Sequence, residues 1–176
     1  MRIISGRYKG ANIYSVPGQK TRPTSSFYRE MIFSMVTEYE GKRVLDLFAG
    51  TGSLGLEALS RGSVWVDFVE FSSAVIAVLL KNIQKLRCEE MCHVHRRKVQ
   101  AFLNKTTDKY DLIFIDAPYN KGLINPTLNS IYENDLLAEE GIVVLEHDVR
   151  EALDEQLQEK VIKSKIGKVT GVTLLS

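Results

Sequence analysis

The chain has 176 residues, 44% of them hydrophobic, a formal net charge of +1 and no Pro/Gly/Ser-rich linker, which predicts one compact domain with a small appendage. No apolar run reaches the roughly 18 residues of a membrane span, and the N-terminal apolar run is too short for a signal peptide, so we expect a cytosolic protein without membrane contact. Two cysteines fit a reducing compartment and give no disulfide framework.

The net charge hides an asymmetry along the chain. Residues 1–30 carry six basic side chains against one acidic side chain, a balance of +5, so the remaining residues sum to −4. The basic side chains are those of Arg2, Arg7, Lys9, Lys20, Arg22 and Arg29. This layout is typical of a segment that docks on a polyanion, and it is equally typical of a solvated basic tail.

An N-terminal extension over 1–23 is predicted to precede the main domain over 24–176. Residues 2–16 alternate loosely between apolar and polar side chains around a turn, which indicates a small β-hairpin followed by a loop. The tip of this hairpin carries Arg7, Tyr8 and Lys9, a basic and aromatic set that suits a contact with nucleic acid.

A helix with one apolar face is predicted next. Thr24 or Ser25 can cap its N-terminus, and Gly41 ends it. Its apolar positions have the spacing that is typical of core packing: Phe27, Tyr28, Met31, Ile32, Met35, Val36 and Tyr39.

A strand, a tight turn and a helix are predicted over 44–55, where the sequence reads VLDLFAGTGSLG. Such a loop binds a small ligand, because its glycines, Gly50, Gly52 and Gly55, allow a positive φ and a close approach. The free N–H groups of the following helix point into the same space. The glycine spacing also matches the dinucleotide fingerprint, so an NAD-dependent oxidoreductase is an alternative at this point.

The carboxylate of Asp46 discriminates between these ligands. At the entrance of the loop it repels a pyrophosphate and attracts an ammonium group. S-adenosylmethionine has an α-amino group, a carboxylate and a ribose diol, and Glu70, which ends the next predicted strand, can accept both ribose hydroxyls. We therefore expect S-adenosylmethionine to bind Asp46, Glu70 and the loop residues Phe48, Gly50, Gly52, Ser53 and Gly55.

Strands and helices alternate in the rest of the chain, which predicts parallel pairing through right-handed crossovers and hence a doubly wound α/β sheet. The last two strands are separated by only two residues, so they form an antiparallel hairpin at one edge. The predicted strands are 64–70, 92–96, 110–115, 141–146, 161–166 and 169–175, and the predicted helices are 73–86, 98–104, 124–134 and 149–158.

A second chemical motif, Asp116-Ala117-Pro118-Tyr119, follows a buried strand and is expected to face the first motif across the carboxyl edge of the sheet. The exocyclic amine of a nucleobase is a poor nucleophile, and acceptors that bind both its hydrogens hold the nitrogen in line with a sulfonium methyl group. The Asp116 carboxylate and the Ala117 carbonyl can be those acceptors. Tyr119 offers an aromatic face for an extruded base.

The two motifs together resemble those of amino methyltransferases with an Asp/Asn-Pro-Pro-Tyr/Phe sequence. With the N-terminal run RIISGRYKG, the run Arg22-Pro-Thr, and Arg29-Glu30 with Phe33, nearly the whole chain resembles the bacterial 16S ribosomal RNA guanine-N2 methyltransferase family. This resemblance implies a Rossmann-like class I methyltransferase with a seven-stranded, mostly parallel sheet and an N-terminal β-hairpin. It also implies S-adenosylmethionine as methyl donor and a guanine of the small-subunit RNA as target. By the same resemblance, Asp116 and Tyr119 contact the target base, and Arg2, Arg7, Tyr8, Lys9 and Arg22 contact RNA.

Two positions depart from the family pattern. Ala117 stands where the motif has proline, so its carbonyl is kept but the backbone is less stiff. After the third strand, where relatives place an Asp for the adenine amine, the chain reads RKVQ, which leaves a backbone group near Val99 or the Gln100 side chain as candidates.

Three other functions remain open on the sequence: a DNA adenine-N6 methyltransferase, a non-catalytic RNA-binding protein that retains the fold, and the NAD-dependent oxidoreductase. The small size leaves little room for a separate DNA-reading domain, and Asp46 disfavours NAD. The cysteines and histidines over 88–95 do not predict a metal site, because Cys92 and His93 would point to opposite faces of a strand. We expect a monomer that binds 16S ribosomal RNA or the small ribosomal subunit.

Overall fold

Seven strands form one mixed sheet in the computed structural model, which describes residues 1–16 and 26–176. The strands are β1 (Arg43–Leu47), β2 (Trp65–Glu70), β3 (Cys92–Arg96), β4 (Tyr110–Asp116), β5 (Leu137–Asp148), β6 (Val161–Ile166) and β7 (Thr170–Leu175). The α-helices are α1 (Ser26–Met35), α2 (Ser53–Ser60), α3 (Ser73–Leu86), α4 (Val99–Leu103), α5 (Ile124–Glu133) and α6 (Glu155–Gln158). A short 3-10 helix over Glu89–Met91 precedes β3.

The strand order is β3-β2-β1-β4-β5-β7-β6, with β3, β2, β1, β4 and β5 parallel to one another. Strand β7 runs antiparallel to β5 and pairs with β6, which forms the edge. The predicted class I methyltransferase sheet and its antiparallel edge hairpin are therefore confirmed.

Both faces of the central strands are buried, because α1, α2 and α3 cover one face while α4, α5 and α6 cover the other. Successive residues of β1 accordingly pack on opposite faces. Val44 lies in the core under α1, α2 and α3, Leu45 lies in the core under α4, α5 and α6, and both are fully buried. A continuous apolar run, rather than an alternating one, is the expected pattern for such a strand.

Helix α1 and strand β5 have bounds that differ by more than one residue from the sequence predictions. Helix α1 ends at Met35 instead of reaching Gly41, where the β-branched pair Val36 and Thr37 is a poor helix former. Strand β5 begins at Leu137, four residues early, and the register shift between Tyr110 and Leu112 absorbs the extra residues.

The predicted helix over 149–158 is reduced to the single turn of α6. The first half of this helix is replaced by a turn. In the turn, the Asp148 side chain accepts the backbone N–H of Arg150 at 3.0 Å and the guanidinium Nε–H of Arg150 at 2.9 Å. A side chain that binds nearby backbone in this way competes with helix formation.

The predicted N-terminal hairpin is reduced to one antiparallel bridge between Arg2 and Asn12. The N–H groups of Ile3 and Ile13 still donate across the segment, to the carbonyls of Ala11 and Met1 at 3.0 and 2.8 Å. Others bond to α2: Ile4 and Ser5 donate to the carboxylate of Glu57 at 2.6 and 3.0 Å, and the Tyr8 N–H donates to Ser60 Oγ at 3.0 Å. The extension is thereby fixed to α2. The predicted boundary at residue 23 falls outside the described residues and stays a prediction.

Arg29, counted above with the basic N-terminal end, does not belong to an exposed surface. It is 2% exposed, and its guanidinium donates to Glu57 at 3.2 Å and to the Arg2 carbonyl at 3.1 Å. Glu57 is fully buried and also accepts the Nε–H of Arg61 at 2.9 Å. One carboxylate therefore holds two arginines and the N-terminal backbone together.

We predict that Glu57→Gln lowers the free energy of unfolding by about 3–5 kcal/mol, because removing one partner leaves the buried Arg29 without its counter-charge. Urea unfolding followed by circular dichroism measures this loss. The control is Glu38→Gln, which removes the same charge from an exposed position, and it should change the stability little. Equal stability of the two variants would show that the network is dispensable.

Candidate active site

The parallel pairing of β1 with β4 brings the two sequence motifs to the same edge of the sheet. Leu47 lies opposite Ile115 in β4 and opposite Val69 in β2. The next residues along the neighbouring strands are Asp116 and Glu70, and the glycine loop leaves β1 between them. Three carboxylates, those of Asp46, Glu70 and Asp116, therefore converge at the centre of this edge.

A cavity of about 370 Å³ opens at this edge. Among the predicted site residues it is lined by Phe48, Glu70, Val99, Gln100, Asp116 and Pro118. The other lining residues were not predicted from the sequence: Val69, Phe71, Arg97, Lys98, Leu123, Pro126 and Thr127. They provide apolar walls at Phe71 and Leu123 and two exposed cations at Arg97 and Lys98.

The three glycines of the loop have different roles. A Cβ on Gly50 would meet no atom closer than the Phe48 carbonyl at 3.9 Å, so this glycine borders open space in which a ligand can approach. A Cβ on Gly52 would come within 2.5 Å of Leu79, and one on Gly55 within 2.4 Å of Phe68. These two glycines allow close packing of α2 against α3 and the sheet, and Ser53 begins α2 between them.

Phe48 starts the loop in a left-handed conformation, with φ +59°. For a side chain with a Cβ this conformation costs about 1–2 kcal/mol, and such strain persists where the surroundings enforce it, often at ligand sites. Here it accompanies a ring that forms part of the cavity wall.

Asp46 lies beneath the loop and is 1% exposed. Its Oδ2 accepts the backbone N–H of Gly55 at 2.9 Å, which ties the first turn of α2 to β1. Burial raises the pKa of this carboxyl well above its usual range; the Gly55 N–H opposes the shift, and the charges of Asp116 and Glu70 add to it. A cation bound nearby would lower the pKa of Asp46 again and favour its ionised form.

Glu70 connects the glycine loop to the start of α3. Its Oε2 accepts the N–H of Gly50 at 3.2 Å, and its Oε1 accepts those of Phe71 and Ser72 at 2.8 Å each. Since it also lines the cavity, the carboxylate is held by the backbone and presented to the space a ligand would enter.

The second motif follows β4 directly. Asp116 is half-buried and lines the cavity beside the exposed Pro118, while Ala117 is buried. The Tyr119 hydroxyl donates to Glu146 Oε1 at 3.0 Å and lies 3.1 Å from Thr170 Oγ1. Burial raises the pKa of Tyr119, so the hydroxyl stays protonated and its ring is anchored to β5 and β7. The anchor residues were missed, because nothing in the sequence pairs Tyr119 with two distant strands.

After the third strand, Val99 is buried at the start of α4 and Gln100 is exposed. The Gln100 amide nitrogen donates to Ser130 Oγ and, at 3.2 Å, to Asn104 Oδ1. Both residues line the cavity, and their contact with adenine stays a prediction.

The residues predicted to bind RNA lie away from Asp116. Helix α2 begins at the carboxyl edge of the sheet, and its eight residues extend about 12 Å toward the opposite edge. There the Arg7 N–H donates to the Ser60 carbonyl at 2.7 Å. Arg2, Arg7 and Lys9 are exposed, whereas Tyr8 is half-buried against the core. Arg22 lies outside the described residues.

Within residues 1–16 and 26–176, no three His, Cys, Asp or Glu side chains are grouped so as to hold a metal ion. In the same ranges, no helix has the length and apolar character needed to cross a membrane.

Comparison with known proteins assigns the family. The model of the family described as conserved hypothetical protein 95 matches residues 1–174. A Bacillus subtilis protein, YlbH, proposed as an rRNA methyltransferase, is 37% identical over 94% of this chain and 92% of its own. Ribosomal RNA small subunit methyltransferase D of Escherichia coli K12 is 32% identical over 87% of this chain and 77% of its own.

A solved structure shows the same fold over the whole chain. The Escherichia coli protein yhhF, described as a methyltransferase candidate, has a TM-score of 0.87 and 30% identity over 99% of this chain and 96% of its own. The predicted resemblance is confirmed at the level of the family: this chain belongs to the conserved hypothetical protein 95 family, which contains the ribosomal RNA small subunit methyltransferases D.

Proposed function

We propose that this protein transfers a methyl group from S-adenosylmethionine to the exocyclic N2 amine of a guanine in 16S ribosomal RNA. The observation that carries the proposal is that Glu70 and Asp116 line one cavity, while Asp46 is buried beneath the glycine loop close enough to feel both charges. Three carboxylates at one site favour a cationic ligand over a pyrophosphate. They argue for a sulfonium cofactor and against NAD.

The cavity fits the parts of S-adenosylmethionine. Glu70 would accept the ribose hydroxyls, and the apolar walls formed by Phe48, Phe71 and Val99 would enclose the adenine. The loop at Gly50 leaves space for the methionine end, whose ammonium group Asp46 would attract from beneath the loop. When bound, this cofactor supplies the methyl group on a sulfonium, which leaves as a neutral thioether.

Asp116 and Ala117 would orient the target amine. The carboxylate and the adjacent carbonyl accept its two hydrogens, so the nitrogen lone pair is directed at the methyl carbon. The methyl group would pass from sulfur to nitrogen, and the Asp116 carboxylate, already hydrogen-bonded to the amine, would accept the proton that the nitrogen releases and pass it to solvent. Tyr119, held by its hydroxyl, provides an aromatic ring beside the target base.

An RNA substrate agrees with the names of the relatives and with the exposed Arg2, Arg7 and Lys9. These side chains lie a helix length from Asp116, so they would hold the RNA at a distance from the target base. Guanine N2 lies on the minor-groove edge, and its modification requires a loop or an extruded nucleotide.

We predict that Asp46→Asn makes the protein more stable and its cofactor binding weaker. The raised pKa means that the folded state binds more protons than the unfolded state, so the wild-type stability falls as pH rises through the folded-state pKa of Asp46. The amide keeps an acceptor for the Gly55 N–H but does not ionise, so its contribution to stability does not change with pH. The difference in the free energy of unfolding between variant and wild type should therefore grow with pH.

Urea unfolding over a pH series, together with calorimetry of S-adenosylmethionine binding, measures both effects. Wild-type affinity should rise with pH through the same titration, because the cation favours the ionised carboxylate, and the variant should lack this rise. Stability curves that stay parallel at every pH would show that Asp46 is not protonated in the folded state.

We predict that Asp116→Ala lowers kcat by about 10²-fold or more while S-adenosylmethionine still binds, since Asp116 acts on the target amine. Methyl transfer from labelled cofactor to small ribosomal subunits measures kcat, and calorimetry measures cofactor binding. Asp108→Ala, at an exposed position before β4, is the control.

Unchanged turnover in Asp116→Ala would remove the role assigned to it. Duplex DNA, assayed beside the ribosomal subunits, tests the adenine-N6 alternative. Cofactor binding without methyl transfer to any RNA would favour a non-catalytic RNA-binding protein.

A further inference from the structure

A groove between the N-terminal segment and α3 lies outside the site described above. It has a volume of about 580 Å³ and is lined by Tyr14, Ser15, Val78, Lys81, Gln84 and Lys85. Tyr14 is 51% exposed, so its ring is accessible from the groove. None of the RNA contacts expected from the sequence includes these residues.

The two lysines of the groove are exposed and stand one turn apart on α3. The sequence of α3, SAVIAVLLKNIQKL, contains no acidic residue. Within the described ranges, neither lysine takes part in an ion pair, whereas Lys42, Arg43 and Arg61 each face a carboxylate. Lys81 and Lys85 therefore form a positive surface that no carboxylate in those ranges neutralises.

The ring of Tyr14 lies against this positive surface. Lys85 Nζ is 4.5 Å from the ring centroid, a cation–π distance. An aromatic ring beside lysines is the combination with which proteins bind single-stranded nucleic acid, because the ring stacks on a base and the lysines bind phosphates. A duplex keeps its bases stacked inside and gains little from such a ring.

The backbone of Tyr14 is held rigidly. Its N–H donates to Asn82 Oδ1 at 2.6 Å, and its carbonyl accepts Asn82 Nδ2 at 3.1 Å. The same Nδ2 donates to the carbonyl of Thr51 at 2.9 Å, and Asn82 is fully buried. One side chain thus connects Tyr14 to the loop between Gly50 and Gly52.

We propose that this groove binds an unpaired nucleotide of the RNA substrate, with its base stacked on Tyr14 and its phosphates on Lys81 and Lys85. The inference rests on the proposed function for the identity of the RNA. It adds a contact surface on α3 that is linked through Asn82 to the cofactor loop.

The test measures binding of the full chain to 16S ribosomal RNA and methyl transfer to small ribosomal subunits. Tyr14→Ala should weaken RNA binding by about 5–100-fold, and Tyr14→Phe should restore it, because stacking needs only the ring. The Asn82 contacts use the Tyr14 backbone, so both variants keep them. Cofactor affinity and thermal unfolding should match those of the wild type.

The lysines are tested through salt dependence. Lys81→Gln with Lys85→Gln should reduce the slope of log K against log salt by about 1.4, since each phosphate contact on a single strand contributes about 0.7. The matched control is Lys163→Gln with Lys165→Gln, an exposed pair on β6 at the opposite edge of the sheet. The control pair should leave the slope near its wild-type value.

The outcomes separate this inference from the proposed function. If the wild type transfers the methyl group and Tyr14→Ala has the same RNA affinity and KM as the wild type, the groove is overturned and the proposed methylation is not. Equal losses of slope in both lysine pairs would also overturn it. RNA binding that depends on Tyr14, without any methyl transfer, would support the groove and overturn the proposed methylation. Absence of RNA binding by the wild type would overturn both.

Discussion

The parallel pairing of β1 with β4 is the constraint on which the candidate site depends. These strands are far apart in sequence, yet their register sets Leu47 beside Ile115, so the glycine loop and Asp116 leave the sheet at the same edge. The strand order reverses its direction here, with β2 and β3 on one side and β5 on the other. Ligands of open α/β sheets bind at such a switch point, because the two loops diverge and leave a crevice.

Two buried polar side chains connect the N-terminal segment to this edge. Glu57 fixes residues 4 and 5 to the helix that begins at the glycine loop, and Asn82 fixes Tyr14 to the loop itself. Both side chains are fully buried and hydrogen-bonded through each of their polar atoms. Substituting either would leave buried partners without a hydrogen bond and lower the stability of the fold. The segment proposed to hold RNA is therefore fixed by hydrogen bonds to the same elements that form the proposed cofactor site.

The sequence predicted the sheet and the motif positions because both depend on local patterns: apolar runs, helical spacing and loop glycines. It missed features that depend on distant residues. Arg29 appears as one basic residue among six but is buried against Glu57, and part of the backbone of the predicted hairpin bonds to α2 instead of to its opposite strand. The cavity residues Phe71 and Leu123 lie in loops without any motif. The anchoring of Tyr119 by Glu146 and Thr170 requires strand neighbours that only the three-dimensional topology supplies.

The proposed activity is methyl transfer to N2 of one guanine in small-subunit RNA at the cavity that Glu70 and Asp116 line. Mass mapping of 16S ribosomal RNA from a bacterial strain that lacks this protein, and from the same strain carrying it on a plasmid, tests this most directly. One N2-methylguanine should disappear without the protein and return with it. An unchanged set of methylguanines, or the loss of a methyl group from another base or from DNA, would contradict it.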